Sequence, residues 1–158
     1  LTFLDPSSDP YGSSWNITQS KIAIGSGGMS GKGFQEGSQA HLNFLPEAET
    51  DFIFAVIAEE FGFVGVMAVI ILFLFFLWRL LYLADQQRSR FARAYGFGVV
   101  GILFFHFLVN IGMTIGLMPI MGIPLPFFSY GGSSLWSFTI LLFIFLKLDA
   151  HRSDMLSR

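Results

Sequence analysis

The sequence predicts an all-α membrane protein with three transmembrane helices and a large extracytoplasmic loop. Hydrophobic residues make up 53% of the 158 positions and charged residues only 13%, too little polar surface to cover a globule in water. Apolar runs occupy about 63–83, 95–117 and 133–148. Charge is segregated along the chain: Asp5, Asp9, Glu36, Glu47, Glu49, Asp51, Glu59 and Glu60 stand against only Lys21 and Lys32 within 1–62. Beyond that point the balance reverses, with Arg79, Arg88, Arg90, Arg93, Lys147, Arg152 and Arg158 against Asp85, Asp149 and Asp154. Basic segments favour the cytoplasmic side, so the acidic first part is placed outside.

The chain has no cysteine, which excludes disulfides and thiolate chemistry. It begins at Leu1, and no basic, apolar, small-residue leader follows. The expectation is a portion of a longer protein.

Residues 1–14 are turn chemistry, with two Asp-Pro steps and a Gly within a Ser cluster. Residues 15–24 carry Trp15, Ile22 and Ala23 among polar neighbours, a weakly amphipathic pattern suited to a short helix at an interface. The glycine-rich run Gly25-Ser26-Gly27-Gly28-Met29-Ser30-Gly31-Lys32-Gly33 invites a nucleotide reading that its spacing rejects. A phosphate-binding P-loop needs Gly where Ser26 stands and Ser or Thr where Gly33 stands, and the dinucleotide fingerprint needs Gly at Ser30. A loop with several positive-φ positions remains, with a close approach to a bulky polar ligand as its functional competitor. Lys21 and Lys32 would then be charges for a phosphate.

Residues 38–45 read as a short extended segment, and His41 has no second ligand at zinc spacing. The acidic stretch Leu45-Pro46-Glu47-Ala48-Glu49-Thr50-Asp51-Phe52 follows and passes into a helical pattern. Thr50 or Asp51 can cap that helix, and Asp51, Ala55 and Glu59 fall in one i, i+4, i+8 row.

The span 63–83 has one charge, Arg79, near its end, where it can snorkel to the headgroups. The span 95–117 carries His106, Asn110 and Thr114 in one row, plus Gly112 and Gly116 as a small-xxx-small pair for helix packing. Polar groups at membrane depth must face protein or a wet cavity. Interhelical hydrogen bonding and a functional role explain the row equally well. Pro119, Pro124 and Pro126, followed by Ser129-Tyr130-Gly131-Gly132, forbid an ordinary helix and predict an outer re-entrant loop over 118–132. The span 133–148 then leads to a cytoplasmic tail, 149–158, marked by His151 and Arg152. Three helices are too few to bury their own polar groups, so further helices are expected alongside them.

Several separate motifs resemble one known family. Gln19-Ser20-Lys21, Ala23-Ile24-Gly25-Ser26-Gly27-Gly28 and Gly31-Lys32-Gly33 precede Phe44-Leu45-Pro46-Glu47, Thr50-Asp51-Phe52-Ile53-Phe54 and Glu59-Glu60-Phe61-Gly62. Later come Asn110-Ile111-Gly112-Met113-Thr114, Gly122-Ile123-Pro124-Leu125-Pro126 and Ser129-Tyr130-Gly131-Gly132-Ser133-Ser134. In this order they resemble the SEDS family across about 9–147, its rod-shape branch more than its division branch. The resemblance implies part of a ten-helix bundle in the bacterial inner membrane: the large loop, 1–62, and the final spans within 63–158. It implies a peptidoglycan glycosyltransferase that polymerises lipid II for cell elongation, partnered by a class B penicillin-binding protein, membrane lipid and the missing N-terminal helices. No nucleic acid partner is expected. The family's catalytic aspartate falls on Asp51. Glu49 stands where relatives often have His.

Such chemistry needs a base for an acceptor hydroxyl and positive charge for the departing diphosphate. Asp51 is the candidate base, and Glu47, one turn away if the segment is helical, would raise its pKa. The competing role for Asp51 is that of a helix cap alone. Lys21, Lys32, or a divalent cation (Mg2+ or Mn2+) held by the acidic cluster are candidates for the diphosphate. Gln39, Thr50, Glu59, Glu60, Ser129 and Tyr130 are the remaining candidates for substrate binding or support. Two rival functions are a flippase for a lipid-linked precursor, motivated by the polar row and the broken proline segment, and a non-catalytic scaffold for the penicillin-binding protein. The portion alone is expected to be inactive.

Overall fold

The computed structural model describes residues 13–33 and 50–154. Gln39, His41, Glu47, Glu49, the whole predicted extended segment 38–45 and the end of the tail lie outside those residues. Four helices follow one another: α1 (Ser13–Gly27), α2 (Ile53–Asp85), α3 (Arg90–Thr114) and α4 (Gly132–Asp154). The described residues contain no strand, and α2, α3 and α4 are each long and apolar enough to cross a membrane. Their hydrophobic face runs all round, as a lipid-facing helix requires.

Helix α3 is the middle of the arrangement. Half of its most apolar window is buried, against 17% for α2 and 11% for α4. The outer faces of α2 and α4 carry Leu72, Phe75, Trp78, Trp136 and Phe143 in the open, surfaces for lipid or for further helices. Between α2 and α3, Phe73 stacks on Phe107 with ring centroids 4.2 Å apart. Toward the other end, Gly96 lets Ala84 and Phe145 close in, since a Cβ there would lie 2.6 Å from the Phe145 ring and 2.8 Å from Ala84. All three helices meet at that glycine. Packing of this kind, by close contact around small residues, is what joins helices where hydrophobicity alone does not.

Helix α2 begins ten residues before the predicted span and breaks at Gly62, whose φ of 65° and ψ of −163° are non-helical. The segment 63–85 beyond the break is about 35 Å long at 1.5 Å per residue, a match to the hydrocarbon core. The break frees two carbonyls and two amides, and the glycine-rich run takes all four. Lys32 and Gly33 donate their N–H groups to the carbonyls of Glu59 and Glu60 at 3.0 and 3.1 Å. In return, Phe63 and Val64 donate to the carbonyls of Gly28 and Met29 at 2.9 and 3.3 Å. A backbone approach this close leaves no space for side chains: a Cβ on Gly27 would lie 1.9 Å from the Ala58 carbonyl oxygen, and one on Gly31 2.0 Å from that of Glu60. The glycine run therefore works as a splice into a broken helix, a use that neither sequence reading of it anticipated.

Two local expectations need correction. The N-cap position of α2 is Phe52 rather than Thr50 or Asp51, because both residues sit in the turn that precedes it. Gly112 and Gly116 are not a helix-packing pair, because α3 ends between them at Thr114. Gly116, with φ 77°, closes the helix instead: its N–H reaches the Met113 carbonyl at 3.1 Å, and that of Leu117 reaches Gly112 at 2.7 Å. This reciprocal pattern is a Schellman cap, which demands a left-handed residue where the glycine stands.

Candidate active site

Four segments converge at the end of the bundle where α3 terminates: the second half of α1, the turn before α2, the cap of α3 and the proline-rich segment 118–126. Ala23, Phe52 and Ala55 are buried together there, with Ile24 and Ile120 packed against them. Ser20, fully buried in α1, donates through its hydroxyl to the Thr114 carbonyl at 2.8 Å. This bond satisfies one of the carbonyls that the end of α3 leaves over.

Asp51 lies in the turn that enters α2 and is half-buried. Its backbone carbonyl accepts a hydrogen bond from the Asn110 side-chain amide at 2.9 Å, and the same nitrogen donates to the Ile123 carbonyl at 2.8 Å. Next to Ile123, Gly122 adopts φ 62° and faces the Asp51 carboxylate, so that a Cβ on it would lie 3.4 Å from Oδ2. The carboxylate thus rests against bare backbone of the proline segment.

The two candidate lysines occupy different surroundings. Lys32 pairs with Glu59 at 2.8 Å, the glutamate having no exposure at all. Lys21 is exposed and lies over Gly116, where an added Cβ would come within 2.7 Å of its Nζ. Lys21 makes no ion pair within the described residues.

The other candidates divide in the same manner. Thr50 adjoins Asp51 in the turn. Glu59 and Glu60 belong to the splice through their carbonyls. Ser129 is buried, and its hydroxyl oxygen accepts the Leu125 N–H at 2.7 Å, which ties the end of the proline segment into a compact turn. Phe127 within that turn has φ 66°, strain held in place by ring contacts to Phe76 and Phe138. Tyr130 is 76% exposed and lines an open groove with Ile53, Phe128 and Leu135. The described residues contain no group of three metal-ligating side chains; Asp51 is the one described member of its acidic cluster. In the polar row, Asn110 and Thr114 are fully buried and Thr114 donates to the Ile111 carbonyl at 2.8 Å. His106 sits apart, its Nδ1 2.9 Å from the Ile102 carbonyl oxygen and its ring edge-on to Phe138.

Sequence reasoning grouped Asn110 with His106 and Thr114 by helical spacing. The contact of Asn110 with Asp51, 59 residues away in the chain, has no local signature. Chemically, the arrangement offers a half-buried carboxylate whose turn is held through its backbone carbonyl, a cation on α1 over the cap of α3, and a glycine without a side chain facing the carboxylate.

The chain is similar to several known proteins. A family profile for FtsW, RodA and SpoVE, described as a cell cycle protein, matches residues 1–154. The chain is 47% identical over 158 residues to the peptidoglycan glycosyltransferase MrdB of Escherichia coli K12, covering all of this chain and 42% of that protein. It is 45% identical over 152 residues to the peptidoglycan glycosyltransferase RodA of Treponema pallidum, covering 96% of this chain and 35% of that one. A probable peptidoglycan glycosyltransferase FtsW of Shewanella sediminis is 43% identical over 154 residues, with 96% and 37% covered. Among solved structures, a chain from work on the structural coordination of polymerization and crosslinking by a peptidoglycan synthase complex superposes with a TM-score of 0.78 at 34% identity. That match covers 96% of this chain and 40% of the other.

Proposed function

The chain belongs to the FtsW, RodA and SpoVE family of cell cycle proteins, and from that membership we propose that the whole protein polymerises lipid II into glycan strands with Asp51 as general base. This chain spans about two fifths of the relatives it matches, so the catalytic cavity draws on further helices, and the portion alone is inactive. The observation that carries the reading is the placement of Asp51: a carboxylate outside any helix ladder, half-open, beside a glycine that keeps one wall clear.

In the reaction, Asp51 takes the proton from the acceptor sugar hydroxyl as that oxygen attacks the donor sugar. Negative charge gathers on the departing diphosphate, and Lys21 supports it better than Lys32, whose charge is already committed to Glu59. The oxygen ligands of the acidic cluster suit a hard cation, Mg2+ or Mn2+, as additional counter-charge. The described residues hold one of those ligands, Asp51. Loss of activity in EDTA, restored by Mg2+, tests that part.

The acidic loop faces the extracytoplasmic side and the α4 end faces the cytoplasm, in keeping with the charge segregation. The resemblances to MrdB and RodA favour a role in elongation, and the peptidoglycan synthase complex among the structural neighbours favours a crosslinking partner, a class B penicillin-binding protein. The deciding experiment is polymerisation of purified lipid II by the whole protein carrying Asp51→Ala. A folded variant with no product supports the reading, and one that works at wild-type rate overturns it.

A further inference from the structure

We propose that Asn110 is a positioning residue for Asp51: it sets where the carboxylate points by clamping the turn before α2 to the proline segment. The inference rests on Asp51 as the base. Asn110 sits in the last turns of α3, with no exposure. Both of its side-chain contacts are carbonyl oxygens, those of Asp51 at 2.9 Å and Ile123 at 2.8 Å, which fixes the nitrogen of the amide as the group between them. The clamp therefore joins three pieces of chain: helix α3, the turn bearing Asp51, and the loop whose Gly122 faces the Asp51 carboxylate, where a Cβ would lie 3.4 Å from Oδ2. Because Asp51 precedes the N-cap residue Phe52, the α2 hydrogen-bond ladder does not hold it. Its direction depends on contacts of this kind.

The other amide atom sharpens the point. Oδ1 of Asn110 is buried and has no hydrogen-bond partner among the described residues, a state that ordinarily costs about 1–3 kcal/mol. An apolar side chain of the same size would avoid that cost and would lose both bonds to the site. A base must stand within hydrogen-bond reach of the hydroxyl it deprotonates, and a misplacement of about 1 Å can cost about 100-fold in rate.

The test uses the whole protein with purified lipid II, and compares Asn110→Ala and Asn110→Asp with Asp51→Ala and Tyr95→Phe. Asn110→Asp preserves volume while removing the paired donor, so it serves if the alanine variant does not fold. Tyr95→Phe deletes another hydrogen bond between helices, from the Tyr95 hydroxyl to the Leu141 carbonyl at 3.1 Å, remote from the site. The expected result is a kcat lowered by about 10- to 100-fold in the folded Asn110 variants with KM within about threefold. Tyr95→Phe lowers the unfolding temperature and leaves kcat in place. Inactive Asp51→Ala beside Asn110 variants of normal kcat, whatever their unfolding temperature or KM, overturns the positioning role and leaves the base intact. Wild-type activity in Asp51→Ala overturns both.

Discussion

Lys32 Nζ lies 2.8 Å from Glu59 Oε1, and the Glu59 side chain is sealed from solvent while Lys32 remains 31% exposed. Ser26 adds a longer contact to the same oxygen at 3.5 Å. The pair bridges the glycine run and α2 where their backbones already cross. Removing one partner of a buried pair leaves a charge without compensation, at about 3–5 kcal/mol. Lys32→Met is expected to lower the unfolding temperature of the whole protein in detergent sharply. Adding Glu59→Gln should recover most of that loss, since no charge is then left buried. Equal losses in the single and double variants would show that the pair contributes little.

Gly62 provides a second stability test. Its backbone lies in a region open essentially to glycine, worth about 1–3 kcal/mol of strain for another residue. A Cβ there would also lie 2.3 Å from the Gly31 nitrogen. Gly28 shares a positive φ of 56° but has nothing within 4 Å of its would-be Cβ. Thermal unfolding should therefore rank Gly62→Ala well below Gly28→Ala, which pays only the backbone term of about 1–2 kcal/mol. Similar midpoints for the two would mean that the splice tolerates separation.

Much of this architecture was legible in the sequence, and what escaped did so for a common reason. Spans announce themselves through side chains: the Phe-rich run after Gly62 and the proline cluster at 119–126 each exclude all but one kind of local structure. Asp51 stood out as a candidate through a motif of eight positions. Contacts made by backbone have no such mark. The glycine run and Gly62 pair through atoms that every residue possesses, so the run could be read as a loop with no sign of the helix break it joins. Gly112 and Gly116 had the spacing of a packing face, yet the helix stops at Thr114 and the second glycine serves its cap. The bond from Asn110 to Asp51 was hidden by its separation along the chain, while the row with His106 and Thr114 was visible and less informative.

Lys21 gives a prediction about the reaction rather than the fold. The side chain is exposed and over Gly116, so Lys21→Gln should leave the unfolding temperature close to that of the native protein. If Lys21 stabilises the diphosphate as it departs, kcat should fall by about 100- to 1,000-fold, the effect of deleting one group aimed at developing charge. Lys21→Arg should retain part of the rate. Steady-state polymerisation kinetics settle the matter, and an unchanged kcat in Lys21→Gln would remove Lys21 from the mechanism.

Gly122 tests the wall against which Asp51 rests. A methyl group there would lie 3.4 Å from Oδ2 of Asp51, on a backbone with φ 62°. That distance is ordinary van der Waals contact, so the methyl group itself fits; the left-handed backbone costs about 1–2 kcal/mol for alanine, and relief of that strain would shift the wall on which the carboxylate rests. Gly98, within α3, has nothing within 4 Å of the corresponding position, and alanine there should improve the helix by about 0.5–1 kcal/mol. Gly122→Ala is thus expected to reduce kcat by about tenfold or more, whereas Gly98→Ala keeps the native rate. The comparison separates displacement of the base from a general intolerance of added methyl groups. A Gly122→Ala protein with native kcat would show that the carboxylate is held from elsewhere, and that the proline segment shapes the site without touching the chemistry.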